Sequence, residues 1–362
     1  MSGHSKNDLA LLFFNSVEGM SQKKIAEMLD TVGEPGEILG RLGAFSAELT
    51  DILGAPLYNL LKDLNNADYK RRLLDGLRAQ NASFITFLDG EYPDSLREIH
   101  DFPIILFYKG DINLLKGDLF SIVGTRNLSS YGRRVTREFS DELSRAGFIL
   151  VSGMARGADT VVHKTALENG KPTVAVWGTG IDVVYPSENR ALAEEIAEKG
   201  LIVTEYRPKI PPMNYHFPHR NRIISGLSHS VLVTEAGEKS GSLITVNYAV
   251  DQGKNVYIVP GSIYSPESRG ANKFLKKFQG AIVTDINDIL EDCNRGEKSK
   301  AETGIVLDIV ETLIVNELQK GEKHFDELLE LTGLEVNKLN SILTSLMLSG
   351  QIEDTGNNYY SV

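Results

Sequence analysis

Cysteine is almost missing from this chain of 362 residues: Cys293 stands alone. A disulfide framework and a cysteine-built zinc site are therefore excluded within one copy, and a reducing, cytoplasmic setting is the expectation. No apolar run approaches the ~20 residues of a membrane span, and the opening MSGHSKND has no apolar signal core. An excess of positive charge is missing too. The net charge is −11, which argues against a wholesale nucleic-acid coat protein. A local anion site remains open, because fields act over about 8–10 Å. Several enzyme signatures are also absent. There is no G-x-x-x-x-G-K-[ST] of a P-loop NTPase and no G-x-S-x-G elbow. Gly178-Thr179-Gly180 runs into Ile181-Asp182-Val183, which breaks the dinucleotide fingerprint. His163, His216 and His219 lack metal-ligand spacing. No cofactor, metal or catalytic set is expected.

What is present is an ordinary globular composition, 41% hydrophobic and 24% charged, with length enough for two or three domains. The most informative stretch begins with a strand, Phe120 to Val123, and a turn, Gly124-Thr125-Arg126. A helix pattern follows, then a strand from Phe148 to Val151 and a second turn, Ser152-Gly153. Such a turn can receive a phosphate through free backbone N–H groups and the positive end of the following helix. Arg126, Arg133, Arg134 and Arg137 crowd it, which suggests a polyanion rather than an uncharged metabolite.

Residues 1–80 read as a small helical domain of the sterile-alpha or helix-hairpin-helix sort. Ser21 can cap its helix, and Leu57, Leu60, Leu61 and Leu64 are spaced helically within Ala55–Gln80. The paired glycines of a DNA-binding hairpin are missing there, so a structural or protein-contact role is expected. From 81 to 293, continuous apolar strands alternate with helices, which predicts a doubly wound, mostly parallel α/β domain. Its ligands would sit beyond the carboxyl ends of the strands. A polar linker follows at 294–304. Residues 305–362 predict three helices and a terminal hairpin, a winged-helix-like domain. That domain holds ten acidic residues against three lysines, so it suits a protein contact better than DNA.

The loops after successive strands share one chemistry. Gly124-Thr125-Arg126 comes first, then Ser152-Gly153 with Arg156, then Gly178-Thr179-Gly180, and later Lys239-Ser240-Gly241-Ser242. Glycine permits close backbone approach, and serine caps the next helix. Phe217 to Ser225 opens a helix with Arg220 and Arg222 flanking Asn221, and Phe217 or Tyr215 could stack a base. Asn272 and neighbouring lysines add polarity near the end of the domain. Each feature has a plainer reading. Arg133, Arg134 and Arg137 fit a solvated helix face, Asp159 a helix cap, and Trp177 a core residue or a cleft wall. Arg220 and Arg222 could pair with Asp159 or Glu235 as structural ions.

The chain resembles the DNA-processing protein A family, DprA, also called Smf. The resemblance rests on IVGTR (122–126), SGMARGAD (152–159), AVWGTGIDVVYP (175–186), FPHRNRIISGLS (217–228), TEAGEKSGSLITVNYAVDQGKNVYIVPG (234–261) and SRGANKFL (268–275). It implies an extended Rossmann-like domain with helical and winged-helix flanks. It also implies a homodimer that binds single-stranded DNA without catalysis, protects incoming strands during natural transformation and helps load RecA. The DNA site it implies comprises Gly124, Thr125 and Arg126, then Ser152, Gly153 and Arg156, then Phe217, Arg220 and Arg222, with Ser240, Gly241 and Ser242 at the same edge. A rival resemblance is to the Lonely Guy nucleotide phosphoribohydrolases. The comparable region offers Glu235 and Glu238 but not their P-G-G-x-G-T-x-x-E pattern.

Overall fold

A computed structural model describes residues 4–278, 281–293, 309–334, 336–348, 352–356 and 358–361. It divides into two compact units, Met1–Ile289 and Leu290–Val362. Among the described residues no helix is long and apolar enough to cross a membrane.

The first unit is built on a nine-stranded sheet. Its strands are β1 (Ser83–Thr86), β2 (Ile105–Gly110), β3 (Leu119–Val123), β4 (Ile149–Ser152), β5 (Thr173–Val176), β6 (Leu201–Thr204), β7 (Ser230–Val233), β8 (Asn255–Ile258) and β9 (Ala281–Ile282). They lie in the order β1-β2-β6-β5-β4-β3-β7-β8-β9. From β6 across to β9 every pairing is parallel. β1 and β2 add an antiparallel edge beside β6. Every residue of β3, β5, β6 and β7 is buried, as expected of strands covered on both faces. The doubly wound, mostly parallel α/β fold read from the alternation, and the Rossmann-like domain that the resemblance implies, are what the structure has.

Topology then places the site. The chain steps outward from β3 through β4 and β5 to β6, returns to the other flank of β3, and steps outward again through β7, β8 and β9. The order reverses between β3 and β7, and a crevice opens beyond the carboxyl ends of strands at such a reversal.

Among the described residues six helices precede the sheet, from Lys6–Ser16 to Ala67–Ala79. Ser21 caps the second by accepting from the Lys24 N–H at 3.3 Å. The stretch Ala55–Gln80 is two helices, because Asn66 caps a new start by accepting from the Tyr69 N–H at 2.9 Å. The expected boundary at residue 80 falls just before β1, with both sides inside one compact unit. Side chains tie them together. Thr86 donates to Asp8 at 2.7 Å, and Gln22 accepts from the Ile104 N–H at 3.1 Å while donating to Glu205 at 2.7 Å.

The second unit contains helices Ile309–Leu318, Phe325–Thr332 and Val336–Leu348, and strands β10 (Lys323–His324), β11 (Glu353–Gly356) and β12 (Tyr359–Ser361). The strands pair antiparallel in the order β10-β12-β11. Ile314, Leu318, Leu328, Leu339, Leu343 and Tyr360 contribute to its core. The linker expected at 294–304 and the first residues of the helix expected from 305 lie outside the described residues.

Candidate functional site

A cavity of about 380 Å³ lies at the reversal point between β3 and β7. Four segments wall it. Val123 to Arg126 leave β3, and Ala155 and Asp159 belong to the loop and helix after β4. Phe217 to Ile224 come from the helix His216–Leu227, and Lys239 to Thr245 from the loop after β7 and the helix it opens. Of the predicted residues the fold gathers Gly124, Thr125, Arg126, Phe217, Arg220, Asn221, Lys239, Ser240, Gly241 and Ser242 around this one space.

Local packing explains the geometry. A Cβ on Gly124 would lie 2.6 Å from the Ala158 side chain, so glycine lets the β3 turn rest on the next helix. Gly157 has φ +74°, and a side chain there would meet the carbonyls of Thr125 and Arg126. Gly153 leaves room for Arg220, whose guanidinium donates to the Gly153 carbonyl at 2.7 Å and to the Val176 carbonyl. The arginine is thus pinned to the ends of two strands while still facing the cavity.

The first turn is not the open phosphate cradle that its sequence suggests. The Thr125 N–H donates to the Glu235 carbonyl at 2.7 Å. The Glu235 carboxylate accepts from the Ser129 N–H at 2.9 Å and the Ser129 hydroxyl at 2.6 Å, at the start of the helix Ser130–Arg145. An internal carboxylate already occupies that helix terminus. The helix Ser242–Asp251, in contrast, starts at Gly241 with no side-chain cap, and its first residues line the cavity beside Lys239. Its leading N–H groups are turned inward, Ser242 to the Ser240 hydroxyl at 3.4 Å, Leu243 to the Ser240 carbonyl at 3.2 Å and Ile244 to the Gly241 carbonyl at 3.1 Å. What this terminus offers a ligand is therefore the positive end of its dipole, with no carboxylate among the described residues set against it.

Charge and aromatics converge opposite it. The Arg126 guanidinium lies 5.8 Å from the centre of the Phe217 ring. The Tyr185 ring lies 5.2 Å from Phe217, tilted by 33°. Tyr185, Arg156 and Arg126 share a smaller adjoining recess with Phe217 and Arg220. Arg156 is forked on Glu188, with Nη2 donating to Oε2 at 2.8 Å, and both side chains are exposed. That hydrogen bond holds Glu188 below the usual carboxylate range. Burial lowers the Arg220 pKa to about 10, against the opposing charge of Asp159, which leaves the guanidinium cationic at neutral pH. Burial raises the pKa of Asp159 against the pull of Arg220. The cavity surface is therefore cationic, with one buried carboxyl in its floor.

Gly153 and Arg156 line the adjoining recess, and three further predicted residues reach neither space. Ser152 is buried and donates to the Ile122 carbonyl at 2.7 Å. Asn272 faces the β8 loop, donating to the Gly261 carbonyl at 2.9 Å and accepting from its N–H at 3.1 Å. Arg222 turns to the far side of its helix. It forks on Glu205 at 3.1 and 2.7 Å and reaches Asp101 at 3.1 Å. It is a structural ion, with Glu205 as its partner rather than Asp159 or Glu235. Asp159 accepts from the Ala155 N–H at 3.1 Å from within the first helical turn, and Gly157 occupies the cap position. Trp177 is a core residue. His163 is fully buried beside Thr173, and burial drives its pKa down to about 3. Tyr185 escaped the sequence reading as a site residue, although an aromatic five residues past the glycine loop Gly178-Thr179-Gly180 was the available signal.

A sequence model of the family described as DNA recombination-mediator protein A matches residues 83–294. The chain is 41% identical over 222 residues to the DNA processing protein DprA of Bacillus subtilis, covering 61% of this chain and 74% of that one. It is 42% identical over 207 residues to the protein Smf of Escherichia coli, covering 57% and 55% respectively. The X-ray structure of DNA processing protein A from Streptococcus pneumoniae superposes with a TM-score of 0.68 at 33% identity, covering 78% of this chain and 97% of that one. DNA processing protein A from Helicobacter pylori, whose structure gives insight into a single-stranded DNA binding mode, superposes with a TM-score of 0.54 at 29% identity, covering 59% and 96%.

Proposed function

The chain belongs to the DNA recombination-mediator protein A family, and on that premise we propose that it binds single-stranded DNA in the cleft at the β3–β7 reversal. The observation that carries the reading is the convergence on one cavity of Arg126 over Phe217, Lys239, Arg220 and the positive end of the helix Ser242–Asp251. Phosphates are met by charge-assisted donors, and bases by rings whose π-faces accept any sequence. Double-stranded DNA hides its base faces by stacking, so a cleft of this kind prefers single strands.

In this reading the protein binds without breaking bonds. Glu235, on which a phosphoribohydrolase mechanism would draw, has its carboxylate engaged by Ser129. Protection of incoming strands during natural transformation and loading of RecA are the biological roles that we propose. The protein would act in the cytoplasm as a homodimer, and two clefts per dimer raise avidity on long strands. The winged-helix-like assignment of the second unit, and its role in touching protein rather than DNA, are part of the same proposal.

Fluorescence anisotropy of labelled single- and double-stranded oligonucleotides across a salt series tests the core of it. Wild type should bind single strands more tightly, with a linear fall of log affinity against log salt. Arg126→Ala should weaken binding by about 10-fold, as expected for loss of a phosphate contact and of a ring partner. Failure of wild type to bind either form would overturn the reading, and release of free base from nucleoside monophosphates would favour the hydrolase.

A further inference from the structure

Phe217 is the inner ring of this cleft. It is half-buried, with Arg126 over its ring and Tyr185 packed against it. The outer aromatic is Tyr185, whose residue is 41% exposed. Beside it stands Arg156, whose fork is closed on the carboxylate of Glu188. A planar carboxylate and a phosphate present the same paired oxygens to a guanidinium. An exposed ion pair of this kind contributes little to folding and is readily exchanged.

We infer that the cleft extends past Arg126 into a second nucleotide subsite, in which a base stacks on Tyr185 and the adjoining phosphate displaces Glu188 from Arg156. This rests on the single-stranded DNA reading above and adds to it two residues, Tyr185 and Glu188. Arg126 stands between the two spaces and lines both, so a strand leaving the main cavity passes directly onto Arg156. Glu188 acts as a built-in competitor: it keeps Arg156 oriented when the site is free and sets a threshold for the incoming phosphate.

The test compares wild type with Tyr185→Ala, Tyr185→Phe, Arg156→Ala, Glu188→Gln and Arg126→Ala. Its probes are short oligothymidylates, read by anisotropy, and oligomers carrying 2-aminopurine, read by quenching. Tyr185→Ala should bind about 5- to 30-fold more weakly and lose part of the 2-aminopurine quenching, whereas Tyr185→Phe keeps both. Glu188→Gln should bind about threefold more tightly, since a neutral amide no longer competes for the arginine. Arg156→Ala should lower the salt slope by about 0.7, one single-strand phosphate contact. Unfolding midpoints of all variants separate a folding defect from a binding one. If wild type and Arg126→Ala behave as the cleft reading requires but Tyr185→Ala and Glu188→Gln bind like wild type, the second subsite is overturned and the cleft stands. If wild type does not bind, both fall together.

Discussion

Arg222 and Glu205 face each other with only 3% and 2% of their side chains exposed. Removing one partner strands the other charge in a place that water cannot reach. Arg222→Met should therefore destabilise the protein by about 3–5 kcal/mol, and adding Glu205→Gln should restore a large part of it. Urea unfolding of the two variants checks this, with single-strand affinity of the folded protein unchanged. The same cluster makes a pH prediction. Hydrogen bonds to Asp101 and Glu205 raise His219 from its ordinary 6.5 to about 9. A group held above its unfolded value contributes stability fully below pH 6.5 and loses it as the pH rises through about 9. Asp101 moves the other way. Its hydrogen bond from His219, and the Arg222 charge, lower it from 3.8 to about 2, so its contribution is present above pH 3.8 and fades as the pH falls through about 2. The penalty of His219→Gln, read as a shift in thermal midpoint, should be largest between those limits, near pH 5–6, and vanish by pH 10. The helix itself held a clue to Arg222. Two residues along a helix are about 200° apart around its axis, so Arg220 and Arg222 cannot both face one cleft.

Strands and helices of the sheet were legible because β5, β6 and β8 are apolar runs in the sequence and are strands over the same residues in the fold. The glycine turns between them were legible as loops. The contents of those turns were not, because each is filled by a group distant in sequence. Glu235 reaches back 106 positions to Ser129, and no local pattern announces that the helix Ser130–Arg145 is already capped. The loop after β4 shows how tightly the turns interlock. A Cβ at Gly157 would stand 2.4 and 2.5 Å from the carbonyl oxygens of Thr125 and Arg126, and φ is +74°. Gly157→Ala should cost about 1–3 kcal/mol through backbone strain. It should also push the Arg126 turn outward, so that single-strand affinity falls although residue 157 lines neither the cavity nor its recess. Anisotropy and chemical unfolding on the same preparation test the two effects together.

Every cleft residue belongs to the unit Met1–Ile289. A chain ending at Cys293 should therefore keep its single-strand affinity and salt slope to within about twofold, because a domain with its own core folds alone. A drop of more than tenfold would place part of the grip in the acidic C-terminal unit. Within the first unit, the six leading helices are tied to the sheet by Asp8, Gln22 and Arg207, the last donating to the Ser16 carbonyl at 2.8 Å. The position of the cleft also has a mechanical consequence. It sits at the ends of β3, β4 and β7, each laddered to a parallel neighbour on both sides. A tug on a bound strand would load these ladders in shear, spreading tension sideways over many bonds at once, whereas an edge strand would peel one bond at a time.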